Sequence, residues 1–244
     1  RKTNIDSTTL IDDFGLENDA HGGQWHRQVS LLAEESIESM RAKGLEVVAG
    51  NFAENITTEG LDLTALTVGR HIRIGAAELV ISQLGKICHT RCAIYHQAGD
   101  CVMPREGIFA VVLRGATIRV GDALLIDEKV SRPAAIIAGK ETKEALAEQL
   151  QHIIREKFMP VFVRFDAITQ KQGGSLTAIL DDLTVTQKIP RIIVFDPDGD
   201  LGLALAGYQR KDDPSNCYLR ENSTITLCRS IAELQSLPVN EAGR

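Results

Sequence analysis

The chain has 244 residues, 43% of them hydrophobic and 25% charged, with a formal net charge of −6. This is the balance of a folded globular protein with room for one large core or two smaller ones, and its acidity argues against a general nucleic-acid binder, which presents a basic face. No apolar run approaches a membrane span, the opening Arg1-Lys2-Thr3-Asn4 lacks a signal core, and five cysteines do not read as a disulfide framework, so a reducing cytoplasm is the expected location.

Residues 1–18 are polar and read as a lead-in strand or arm. Gln28–Leu32 reads as a short strand and Ala33–Lys43 as a helix, with Ile37 and Met40 on one face, acids in the first turns and Gly44 at the C-terminal stop. From Leu45 the period changes. Short apolar runs at Glu54–Thr57, Val68–Ile74, Glu78–Leu84, Ile108–Leu113 and Ala123–Ile126 are separated by glycines. That punctuation predicts a small, mainly β barrel with one or more short helices over residues 1–130. Past Ser131-Arg132-Pro133 the pattern becomes helical again. Lys140–Lys157 is amphipathic, Pro160 precedes a strand at Val161–Phe165, Ser175–Leu183 is a second helix and Arg191–Phe195 a buried strand. Alternating helices and strands predict a separate α/β domain over residues 131–244.

Three segments of the first half carry candidate chemistry. The polar loop running from Asn18 to Arg27 contains His21 and the pair His26-Arg27, which can hold a phosphate through charge-assisted hydrogen bonds. A surface loop with a half-buried Trp25 explains the same residues. Glu54 and Asn55 enter a strand, where an acid and an amide can read the polar edge of a heterocycle, or simply cap a turn. The richest stretch is Lys86-Ile87-Cys88-His89-Thr90-Arg91-Cys92, followed by Cys101 and Arg105. Its thiols are open to three readings: a zinc site completed by His89 or His96, a Cys88–Cys92 disulfide, or one thiolate stabilised by Arg91 and Lys86.

In chain order, His21, His26-Arg27-Gln28-Val29-Ser30-Leu31-Leu32, Gly50-Asn51-Phe52-Ala53-Glu54-Asn55-Ile56, Val68-Gly69, Arg91-Cys92, Gly107-Ile108-Phe109 and Gly121-Asp122 resemble the MOSC domain. This is the domain found at the C-terminus of molybdenum-cofactor sulfurases, and the resemblance runs from about residue 15 to 127. It implies a β-barrel that binds the molybdenum cofactor (molybdopterin), a pterin dithiolene carrying a phosphate. By the same resemblance Cys92 is the catalytic thiol and molybdenum ligand, with Cys88 and Cys101 as secondary candidates. His21, His26, Arg27, Glu54, Asn55, Lys86, Arg91 and Arg105 are the implied cofactor contacts. The family's Gly-Glu-Asn signature departs here to Ala53-Glu54-Asn55.

The second half offers weaker signals. Asp196-Pro197-Asp198-Gly199-Asp200 follows a strand as the Asp-x-Asp of haloacid-dehalogenase phosphatases does, but only about 45 residues remain after it and Asp200 stands where that pattern has Thr, so an acidic turn at the strand's end is the preferred reading. Gly139-Lys140 lacks the earlier glycine of a phosphate loop. Cys217 and Cys228 flank a hairpin as packed thiols.

The expectation is therefore a protein that binds the molybdenum cofactor and serves its sulfuration, carriage or delivery. Its partners would be cofactor-biosynthesis proteins or apo-molybdoenzymes, with self-association open and neither nucleic acid nor membrane involved. A cofactor-dependent reductase of N-hydroxylated substrates, fed by an electron-donor protein, is the alternative. A structural zinc or interaction protein is the third.

Overall fold

All five residues of the strand β3 (Val29–Ala33) are buried, and the first half of the protein is assembled around it. The computed structural model describes residues 2–85, 93–131, 133–138, 144–157, 159–164, 176–197, 209–210, 217–220 and 223–237. The chain divides into two units, Arg1–Val130 and Ser131–Arg244.

In the first unit, β1 (Ser7–Ile11), β2 (Gly15–Leu16) and β3 are followed by α1 (Glu34–Arg41), β4 (Ile56–Thr58), β5 (Arg70–Ile74) and β6 (Ala77–Leu84). Then come two short helices, α2 (Ala93–Ala98) and α3 (Met103–Glu106), and the strands β7 (Ile108–Arg114), β8 (Thr117–Arg119) and β9 (Leu124–Val130). The larger sheet has the order β4-β3-β7-β6-β5-β9 and the smaller the order β2-β1-β8. Neighbours are antiparallel throughout except β3 and β4, which run parallel, Leu31 opposite Ile56.

Period-two alternation gives the larger sheet two apolar faces. Leu31, Leu79, Ile81, Ala110 and Val112 pack on one side with Leu10 and Ile118 of the smaller sheet. Leu32 and Phe109 point the other way, under Ile37 and Met40 of α1, Met103 of α3 and Val102 just before it. The expected barrel thus takes the form of an open ladder ending on β4 and β9, with the smaller sheet packed across one face. The parallel β3–β4 pair needs a crossover, and α1 provides it. This helix stops where the sequence places its stop, with Gly44 at φ +87° and its amide donating to the Arg41 carbonyl at 2.8 Å. Both α2 and α3 lie in the stretch that the apolar pattern leaves as a connection.

The second unit comprises β10 (Pro133–Ala138), α4 (Glu144–Lys157), β11 (Met159–Arg164), α5 (Leu176–Asp181), β12 (Arg191–Phe195), β13 (Gln209–Arg210), β14 (Cys217–Arg220), β15 (Ser223–Cys228) and α6 (Ile231–Ser236). A π-helical turn, Asp182–Thr186, extends α5. The sheet order is β11-β10-β12-β15-β14-β13, with the first four strands parallel. All six residues of β10 are buried, as a strand flanked on both sides requires. Leu150 and Ile154 of α4 pack on Ile136 and Ile193. Pro160 lies inside β11 rather than ahead of the strand, which its place on the sheet edge tolerates. Cys228 is buried, and β14 and β15 form the expected hairpin. Phe165, Gly139-Lys140 and Asp198–Asp200 lie outside the described residues. Among those described, no helix is long and apolar enough to cross a membrane.

The end of β6 is fixed by Gly85, whose φ is +66° and whose amide donates to the Gly107 carbonyl at 2.7 Å. A Cβ there would stand 2.2 Å from the Pro104 carbonyl oxygen. Gly85→Ala is therefore expected to cost about 2–3 kcal/mol, read as lost hydrogen-exchange protection of the β6 and β7 amides.

Candidate functional site

The segment His26-Arg27-Gln28 enters β3 and is anchored by its last residue. Buried Gln28 donates from Nε2 to Asp13 Oδ1 at 3.0 Å and accepts the Val112 amide at 2.9 Å, tying β3 to β7 and to the β1–β2 turn. With the backbone held, the two side chains before it take defined places.

His26 is half-buried, its Nε2 2.9 Å from Gln83 Oε1. Gln83 Nε2 donates to the Gly85 carbonyl at 2.8 Å, which turns Oε1 toward the imidazole. The shared proton therefore sits on His26 Nε2, leaving Nδ1 as an acceptor. Burial, and then the adjacent Arg27 charge, push the imidazole pKa down to about 3 against the opposing Gln83 bond. His26 is thus neutral at physiological pH. Of the pair that the sequence offers for holding a phosphate, His26 thus supplies a neutral ring and Arg27 the charge.

Arg27 supplies that charge. Its guanidinium carbon lies 4.9 Å from the centroid of Trp25 and 5.9 Å from that of Phe109, a cation held between aromatic faces. Burial lowers its pKa from the usual value, yet arginine stays charged at any physiological pH. Its Nε is buried with no hydrogen-bond partner, and no carboxylate pairs with it, among the described residues. Such a cation is expected to have an anionic partner.

Glu54 and Asn55 are bonded to the backbone around them. Glu54 is 2% exposed and accepts from the Gly50 amide at 2.5 Å, the Phe52 amide at 3.1 Å and Thr57 Oγ1 at 3.2 Å. Its carboxylate closes the loop, so the expected contact with a heterocycle gives way to a structural role. Asn55 Oδ1 accepts from the Ser30 amide at 3.0 Å and the Ser30 hydroxyl at 2.7 Å, while Nδ2 donates to Asp19. It clamps β3 to the loop that carries His21. Asp19 also pairs with Lys2 at 3.4 Å. Burial works to raise the Asp19 pKa, but the bonds from the His21 amide and Asn55 and the Lys2 charge outweigh it, and the net shift is downward. The His21 ring is 73% exposed and 3.5 Å from Asp19.

Arg105 is half exposed and committed to Asp100 at 2.5 Å and Glu106 at 3.6 Å; Asp100 also binds Lys43 at 2.9 Å. Arg105 thus serves an ion-pair network within α3 and its approach. Cys101 is a buried thiol packed in the apolar cluster with Ile37 and Met40. Lys86, Cys88, Arg91 and Cys92 lie outside the described residues. The sequence marks out Trp25, whereas nothing in it assigns a role to Gln83 or Phe109. The i, i+2 placement of Trp25 and Arg27 was the available signal for the stacked cation, whereas Gln83 is indistinguishable from any polar strand residue.

Residues 18–125 match the MOSC domain family. Similar solved structures include YiiM from Escherichia coli, 21% identical over 53% of this chain and 67% of that one, with a TM-score of 0.42. YuaD from Bacillus subtilis is 18% identical over 49% of this chain and 84% of that one, with a TM-score of 0.43. YiiM from Geobacillus stearothermophilus is 20% identical over 50% and 60%, with a TM-score of 0.38. No curated protein matches the chain in sequence.

Ala53 adopts φ +64°, the left-handed region that favours glycine. Ala53→Gly is expected to raise stability by roughly 1 kcal/mol, measured as a higher urea midpoint at unchanged slope. His26 gives a pH dependence of definite sign. The unfolded imidazole takes a proton near pH 6.5 and the folded one only near 3, so stability present above 6.5 is lost as pH falls toward 3. The slope reaches about 1.4 kcal/mol per pH unit. His26→Gln should flatten the stability profile between pH 6.5 and 4.5.

Proposed function

We propose that the MOSC domain binds the molybdenum cofactor and serves its sulfuration, carriage or delivery. The observation that carries this reading is Arg27, a charge clamped between Trp25 and Phe109 with no carboxylate among the described residues. The donor set fits the group: a guanidinium suits its phosphate, and a neutral imidazole with a free acceptor nitrogen suits an N–H or O–H edge. Arg27 would hold the phosphate, His26 would orient the adjoining polar group, and Cys92, with Cys88 as second candidate, would supply the soft thiolate that molybdenum favours. Bound there, the cofactor would supply a metal centre able to carry a terminal sulfur.

Cofactor-biosynthesis proteins or apo-molybdoenzymes are the partners this role calls for, in a cytoplasmic setting. Reduction of N-hydroxylated compounds is the second reading. An Arg flanked by aromatic faces is compatible with both readings, and the assay below separates them.

Protein purified from a cofactor-producing host should carry molybdenum together with a fluorescent oxidised pterin. Arg27→Gln should retain at most a tenth of that pterin. Cys92→Ser should lose molybdenum while Cys101→Ser keeps it, and Cys88→Ser shows whether the thiol assignment shifts to that position. Wild-type retention in both Arg27→Gln and Cys92→Ser would overturn the proposal. Turnover of an amidoxime with an artificial electron donor would move it to the reductase reading.

A further inference from the structure

We infer that a second site in the first unit, a cavity between the first turn of α1, the turn over residues 60–64 and Glu106, binds a linear aliphatic polyamine. None of its lining residues belongs to the Arg27 site, and the inference stands independently of the cofactor reading. The cavity has a volume of about 570 Å³, within the range of small-molecule sites. Ala33, Leu61 and Leu63 line it with apolar surface, and Glu35, Asp62 and Glu106 line it with carboxylates.

The charge of this cavity is not balanced from within. Glu35 and Asp62 pair with no basic side chain among the described residues, and Glu106 meets Arg105 only at 3.6 Å. Both unpaired acids are held in the ionised form. Backbone amides, its own and that of Gly60, lower the Glu35 pKa, and the Thr64 hydroxyl and amide lower that of Asp62. A hydroxyl adds to the signal. Ser36 lines the cavity, is 7% exposed and hydrogen-bonds to no described residue through its side chain.

A ligand that satisfies this lining presents several N–H donors, positive charge and a methylene stem. An alkylammonium group has three donors and no acceptor, and its chain covers apolar wall while the charged ends meet carboxylates. A bare divalent cation fits less well. Among the described residues no group of three or more His, Cys, Asp or Glu is placed to hold a metal, and the volume far exceeds that of one ion.

Spermidine titrated by calorimetry at low ionic strength, with thermal melts as a control for folding, tests the site. Saturable binding to one site is expected, weakened at least tenfold in Glu35→Gln/Asp62→Asn and by less than twofold in Glu128→Gln, which removes an exposed acid elsewhere. Leu61→Trp, which fills the cavity and keeps its carboxylates, should also weaken binding at least tenfold, and it decides the matter if the double variant does not fold. Non-saturable heats, saturable binding of magnesium in place of spermidine, or unchanged affinity in Leu61→Trp would overturn the inference.

Discussion

A partly buried guanidinium with no anion among its described neighbours is the constraint around which the first unit's polar chemistry is arranged. Two ring faces, Trp25 and Phe109, offset part of the desolvation of Arg27, but they cannot neutralise it. A second cation next to it would add repulsion in a region of reduced dielectric, and His26 accordingly stays neutral. The Gln83 bond fixes which nitrogen carries its proton. The pair therefore offers one full charge, one neutral acceptor and flanking aromatic surface.

The same constraint gives meaning to the fate of the nearby acids. Asp19 is tied to Lys2 and Asn55, Glu54 to the amides of Gly50 and Phe52, and Asp13 to Gln28. These carboxylates are engaged in holding the loops, and none of them pairs with Arg27 among the described residues. Folding energy and ligand preference thus come from one arrangement: the bonds that stitch β3 to its neighbours also withhold the counter-charges that would cancel the site.

The sequence makes the elements legible where periodicity is strong. The alternation of Leu31 with Leu32 and the spacing of Ile37 and Met40 place β3 and α1 within a residue or two, because apolar faces and a glycine stop are local signals. Openness of the larger sheet was not legible, since strand order depends on long-range pairing such as the parallel match of Leu31 with Ile56. At the site, Arg27 could be singled out by its charge and its neighbours. The neutrality of His26 could not, because it follows from burial and from a glutamine 57 positions away. Glu54 and Asn55 show the converse: residues that look like ligands in a sequence serve as loop staples once their partners are visible. Ala53 in a left-handed turn shows how a signature glycine can be replaced at a cost in backbone strain rather than in fold.

The stacking of Trp25 against Arg27 has an experimental consequence. Trp25 is the chain's single tryptophan, so the emission of the whole protein above the tyrosine range originates beside this guanidinium. Any molecule that displaces water there, or draws the guanidinium off the indole, will alter the colour and intensity of that emission, and occupancy becomes an optical signal that needs no label.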